Sequence, residues 1–167
     1  SMMEESFEKS EKNLRIFSEL EKLYIQQENF SKLEEHYDEN LGILELKGDY
    51  ALNAADFYIQ RERYEDAKTV MKNTYFSAAE NSLGKPVRHT RYVEAFIGAG
   101  KEYFSKGKYD KAIEEFKSTY EYPAYLNEVK VNYPVTTRQD YFLALAYKKN
   151  GQKDKAREYF KRAIDQE

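Results

Sequence analysis

Cysteine is absent from the chain, which excludes disulfides, thiolate metal sites and cysteine nucleophiles. No run approaches the roughly 18 consecutive apolar residues that cross a bilayer, so membrane insertion is not expected. The opening segment "SMMEESFEKSEKN" is acidic and polar, where a secretory leader would be basic and then apolar. Ser1 ahead of Met2 reads as a residue left by cloning, so the chain is expected to be a fragment whose parent could carry its own targeting segment. The compartment stays open, with the cytoplasm as the expectation. An excess of positive charge is also missing. Lys and Arg number 27 against 30 Asp and Glu, for a net charge of −3, so the electrostatic footprint of a nucleic-acid binder is not there. Proline (three) and glycine (seven) are scarce, which leaves few points where helices must stop.

What the chain does have is 41% hydrophobic, 34% charged and 16% aromatic residues. That mixture suits one helical domain with a heavily solvated surface and is too aromatic for a disordered chain. The charge is polarised: residues 1–50 hold 13 acids against 6 Lys or Arg, and residues 137–167 hold 8 Lys or Arg against 5 acids. The two ends are either simply solvated faces, or a polarity that orients an extended ligand or stacks copies head to tail into a homo-oligomer.

A repeated phrase organises the rest. "YEDAKTVMKNTY" (64–75) returns 45 residues later as "YDKAIEEFKSTY" (109–120), and "KDKAREYFKRAI" (153–164) is a looser copy. Each contains a small residue followed four positions later by a large one: Ala67 and Met71, Ala112 and Phe116, Ala156 and Phe160. On a helix this places both on one face, so a neighbour can approach over the small residue and pack beside the large one. Upstream, a small residue precedes a tyrosine by three in Ala55 and Tyr58, Gly100 and Tyr103, Ala144 and Tyr147. Stepping back 34 residues finds Tyr24, with Leu33 and Tyr37 in the downstream places. Between the halves lie breakers, with Gly107, Gly151 and Asn29 suited to left-handed turn positions and no such residue in the second unit. Ser31 with Glu34, and Thr136 with Gln139, have capping-box spacing.

These residues resemble the tetratricopeptide repeat family, whose units of roughly 34 residues stack into a superhelix. The match is best in the last unit, through Leu143, Ala144, Tyr147, Gly151, Ala156, Phe160 and Ala163. It continues in the third through Phe96, Gly100, Tyr103, Gly107, Ala112 and Phe116, and thins towards Leu20 and Tyr24 in the first. Glu21 replaces the usual small residue there. The expected fold is all-α, a superhelical stack of about four antiparallel helix-turn-helix units in a single domain, 1–167, with units near 14–47, 48–92, 93–136 and 137–167. The spacing lengthens after units two and three, in "SAAENSLGKPV" and "YPAYLNEVKVNYPV", where all three prolines lie. In the second connection Tyr122, Tyr125 and Tyr133 either form an adhesive surface or fold back over the outer ridge. The paired insertions also look like the repeat region at the tail of large multidomain bacterial proteins, behind a β-rich module similar to carbohydrate-active folds.

Catalytic chemistry finds little support. His36 and His89 lie in different units without metal-pair spacing; His36, after Glu34 and Glu35, reads as water-facing, and His89, beside Arg88 and Arg91, as lying near a helix start. "GAGKEY" at Gly98 lacks the leading glycine of a phosphate loop and falls inside a helix. Glu114 and Glu115 point to different sides of a helix, and nothing in the sequence marks either as tuned. No catalytic residue, metal or cofactor is expected. The resemblance instead implies a non-catalytic scaffold that binds a protein or peptide segment, or another domain of the same polypeptide, in a concave groove. It implies that this groove is lined by Lys22 and Ile25, by Leu52, Asp56 and Ile59, by Ile97, Lys101 and Phe104, and by Tyr141, Leu145 and Lys148. Asn53 and Lys101 give only a partial echo of the family's carboxylate clamp. The alternatives are an accessory domain of a larger carbohydrate-active protein and a peptide-sensing regulatory domain.

Overall fold

A computed structural model describes residues 2–77, 87–128, 130 and 135–166, with side chains from residue 13 onward. Among these there is no strand. The helices are α1 (Met2–Gln26), α2 (Phe30–Glu39), α3 (Leu41–Leu44), α4 (Gly48–Gln60), α5 (Tyr64–Asn73), α6 (Val87–Ser105), α7 (Tyr109–Ser118), α8 (Thr137–Lys149) and α9 (Lys153–Ile164). They pack as the pairs α1–α2, α4–α5, α6–α7 and α8–α9. Successive pairs stack through α5 against α6 and α7 against α8, while α4, α6 and α8 stand side by side.

The periodicity has a backbone cause. Each pair turns on one left-handed residue: Glu28 (φ 52°), Glu62 (φ 60°), Gly107 (φ 70°) and Gly151 (φ 79°). The residue that follows then donates its N–H to the carbonyl of the repeated tyrosine. These bonds run from Asn29 to Tyr24 (2.9 Å), Arg63 to Tyr58 (2.8 Å), Lys108 to Tyr103 (2.9 Å) and Gln152 to Tyr147 (2.9 Å). This is the six-residue closure of a Schellman turn, and it repeats at the spacing of the tyrosines because both belong to it. The first left-handed residue is therefore Glu28, not Asn29. Asn29 instead caps α2, its side chain accepting the Lys32 N–H. Ser31 consequently lies inside α2, and Thr136 makes no side-chain cap to its own helix, so neither expected capping box forms.

The small-to-large pairs lie inside. Ala55, Ala67, Met71, Ala112, Phe116 and Ala144 are buried, as are Leu33 and Tyr37 in the first pair. Glu21, where a small residue was expected, is 4% exposed and accepts hydrogen bonds from the Tyr37 hydroxyl (2.8 Å) and Asn53 Nδ2 (3.3 Å). A carboxylate is tolerated there because two donors from neighbouring helices replace its water. Burial, with Glu21 beside it, holds the Tyr37 hydroxyl well above the ordinary tyrosine range.

The two long connections are tied to each other. α6 starts at Val87, the last residue of the first connection and more than a turn before the expected start of the third unit near 93, whereas 78–86 and Tyr133 lie outside the described residues. Arg88 is buried over the Phe76 ring and donates to the carbonyls of Leu126, Asn127 and Ser77 at 3.0–3.1 Å. Asn127 donates to the Phe76 carbonyl (2.7 Å). Glu128 accepts the backbone N–H groups of Arg88 and His89 at 3.1 and 2.6 Å, a carboxylate on the positive end of α6. Tyr125 packs against the core, and the Tyr122 ring stacks on His89 with centroids 3.6 Å apart.

His89 thus lies near a helix start, as expected, but is buried there, and its Nε2–H donates to the Glu121 carbonyl (2.9 Å). Burial pushes its imidazole below the ordinary value, against the opposing pull of that bond and of Glu128. The unfolded chain then takes up a proton first as pH falls, so stability is complete above the ordinary histidine range and declines below about pH 6.5. Urea midpoints measured between about pH 7.5 and 5 should fall with pH in the wild type, and less steeply in His89→Gln. Parallel curves would remove His89 as the cause.

Candidate functional site

The buried side chains with acid–base or metal-binding chemistry are engaged in holding the stack together. His36 is buried, not solvent-facing: it stacks on Phe17 at 4.3 Å and donates through Nε2–H to the Phe17 carbonyl (3.1 Å). Glu115 is half-buried against Lys68 (2.9 Å), and burial raises its carboxyl above the ordinary range although Lys68 opposes this. Environment therefore does tune Glu115, which its helical position gave no reason to expect. Burial alone would raise Asp38, but hydrogen bonds from Arg63 and Tyr58 outweigh it and hold the carboxyl low. Among the described residues no His, Asp or Glu cluster could hold a metal ion, and no buried side-chain polar atom lacks a hydrogen-bond partner. No described helix is long and apolar enough to cross a membrane.

The row of first helices is different. On α1, Lys22 is exposed and paired with Glu19 (3.1 Å), and Ile25 is exposed. On α4, Leu52 and Ile59 are half-buried against the core, while Asp56 holds Arg91 of α6 at 2.7 and 3.0 Å. Ile97 is only 4% exposed, so it packs inward and offers almost no surface. Further along the same helix, Lys101 and Phe104 meet Leu145 of α8. Together with Phe116 and Phe142 they line an apolar hollow of about 160 Å³. The Lys101 ammonium stands 5.7 Å from the centre of the Phe142 ring. Tyr141, 48% exposed, borders a second and larger depression of about 720 Å³ with Val93, Glu94, Arg138 and Phe160. Lys148 is exposed on the last turn of α8.

Sequence reasoning had Lys101, Phe104 and Leu145 as groove residues, and the fold brings these three around one hollow. It missed Phe142, whose ring forms one wall. The signal was present, because Phe142 precedes Leu145 by three positions and so shares a side of α8 with it. Its stacking on Phe116 of the preceding pair (5.7 Å) was not readable from spacing.

Residues 93–121 and 141–167, which take in most of the third and fourth helical pairs, match the tetratricopeptide repeat family. Over those two segments the chain carries tetratricopeptide repeats. These repeats are typically non-catalytic and serve as protein-interaction scaffolds. No curated protein matches the chain. Two solved structures titled as MamA are similar to it: one is 20% identical, covering 92% of this chain and 91% of that one with a TM-score of 0.41. The other is 21% identical, covering 86% and 92% with a TM-score of 0.36.

Proposed function

We propose that this chain is a non-catalytic scaffold that holds an extended peptide segment, or a neighbouring domain, along the side formed by α1, α4, α6 and α8. The observation that carries this reading is the hollow between α6 and α8. There two stacked helices leave apolar side chains around open space, while the buried polar side chains among the described residues all have hydrogen-bond partners. Contiguous apolar surface of this kind gains free energy when a partner covers it. Tyr141, whose ring lies 5.6 Å from that of Phe142 in the hollow wall, adds a large amphipathic side chain of a type enriched among dominant contact residues.

The test is a random peptide library displayed on phage and selected on the immobilised chain. Selected peptides should lose about tenfold or more in affinity for Phe104→Ala and for Tyr141→Ala, while the far-ultraviolet circular dichroism of both variants stays that of the wild type. Peptides that bind both variants as tightly as the parent would remove this side of the stack as the binding surface.

A further inference from the structure

We infer that the hollow between α6 and α8 is an anchor subsite for one phenylalanine side chain of an extended peptide, with aspartate or glutamate beside that phenylalanine. The inference rests on the scaffold reading above and gives its partner a chemistry. Two independent features lead to it, size and unneutralised charge.

The size is that of a single ring. Phe104, Phe116, Phe142, Leu145 and the stem of Lys101 enclose about 160 Å³. An apolar cavity of about 150 Å³ lined by such side chains accepts benzene. Phe116 is fully buried behind the hollow and Phe104 is braced edge-on by Tyr109 (5.4 Å), so the walls are held from behind. An aliphatic chain or a ring would fill this space, but only the ring presents an edge and faces to three surrounding aromatic rings.

The charge follows from which ionic groups already have partners. Along this side of the stack Lys22 is paired with Glu19, Asp56 with Arg91, and Arg138 with Glu94. Glu102, next to Lys101 in the chain, is held by Lys106. Lys101 and Lys148 have no carboxylate partner among the described residues. Lys101 borders the hollow, and Lys148 follows Leu145 by three positions on the same side of α8. A ring bound in the hollow would therefore have two uncompensated ammonium groups near its flanks. Acidic neighbours complement them, and basic neighbours add repulsion on top of lost attraction. The larger depression near Tyr141 carries no such inference, because its rim at Val135 adjoins residues 131–134, outside the described residues.

The probes are end-capped nonapeptides of glycine and serine with Asp-Phe-Asp, Asp-Ala-Asp or Lys-Phe-Lys at the centre. Each is titrated into the whole isotope-labelled chain and followed by amide chemical shifts. Asp-Phe-Asp should shift signals of α6 and α8 around Phe104 and Leu145. Removing the ring should weaken binding about 10- to 100-fold, the worth of one buried aromatic side chain. Raising salt should weaken Asp-Phe-Asp, and the double variant Lys101→Glu/Lys148→Glu should prefer Lys-Phe-Lys instead. Leu145→Trp, which fills the hollow, should abolish binding with helicity retained. Equal binding of Asp-Phe-Asp and Asp-Ala-Asp, or an unchanged charge preference in the double variant, would overturn the inference. Library peptides that depend on Phe104 and Tyr141 yet lack a phenylalanine beside an acid would overturn it while leaving the scaffold reading in place. If no peptide of either kind binds, both fall.

Discussion

Asp140→Ala is expected to lower the unfolding free energy by about 2–3 kcal/mol and to loosen α8 and α9 before the rest of the stack. Asp140 is 0% exposed, yet it is surrounded by donors: Arg162 at 3.1 Å, the Tyr120 hydroxyl at 2.7 Å, the Thr136 hydroxyl at 2.8 Å and Gln166 Nε2 at 2.9 Å. These donors come from the residues after α7, from the residue just before α8, from α9 and from the residues that follow it. Removing the carboxylate leaves a guanidinium and two hydroxyl groups facing a void in place of one shared acceptor. The Arg162 side chain is 42% exposed and regains water, so the cost lies mainly in the Tyr120 and Thr136 hydroxyls that lose their acceptor and in the void left behind. Asp140→Asn keeps the volume and two of the contacts, so its cost should be smaller. Urea unfolding followed by circular dichroism gives the first number, and amide exchange locates the loss. A change below about 1 kcal/mol, the size of an exposed ion pair, would mean that Asp140 is solvated in solution.

Gly100→Ala is expected to destabilise by about 1–3 kcal/mol, although the same exchange on an exposed helix would stabilise by about 0.8–1 kcal/mol. A Cβ at this position would lie 2.4, 2.6 and 2.9 Å from three ring carbons of Phe116. Alanine occupies the corresponding place in the second and fourth pairs, as Ala55 and Ala144, so the difference lies in what stands opposite. Met71 is a flexible chain, and Phe160 is only half-buried on the last helix and can lean away. Phe116 has neither option, being 1% exposed and held by the stacked Phe142 ring behind it. Gly98 offers the contrast. A Cβ there would meet the Tyr64 ring at 2.0 Å, but Tyr64 is half-exposed and can swing outward, so crowding alone does not set the cost. Pairing Gly100→Ala with Phe116→Leu should recover part of the loss. A double-mutant cycle with no coupling would show that the two residues do not oppose each other.

Much of the architecture was legible because it is local. Tyr24, Tyr58, Tyr103 and Tyr147 recur at the spacing of the turns that their carbonyls close, and the pairs Ala67–Met71 and Ala112–Phe116 sit on buried faces as their four-residue spacing requires. Even the turn at Glu62, which has no glycine, keeps the left-handed conformation, because the closure demands it whatever the side chain. His36 misled because a charged neighbourhood in sequence, Glu34 and Glu35 beside it, says nothing about the far side of the helix, where Phe17 and Tyr24 wait. Arg88 and Glu128 lie 40 positions apart and were unremarkable until the second connection folded onto the start of the sixth helix. The hollow was half legible: three of its lining residues followed from the family's groove positions, and Phe142 did not.

By itself the sequence determined that this protein is all-α and built of helical pairs in a measured register, since helix faces, turns and small-to-large contacts are set by residues a few positions apart. Only the tertiary structure decided that Glu21 and Asp140 are sheltered by donors, that the two connections clasp each other, and that Lys101 borders an apolar hollow with no carboxylate partner among the described residues. Those outcomes depend on which side chains from different pairs arrive at the same place. Spacing along one helix fixes the direction in which a residue points, but not what it meets there.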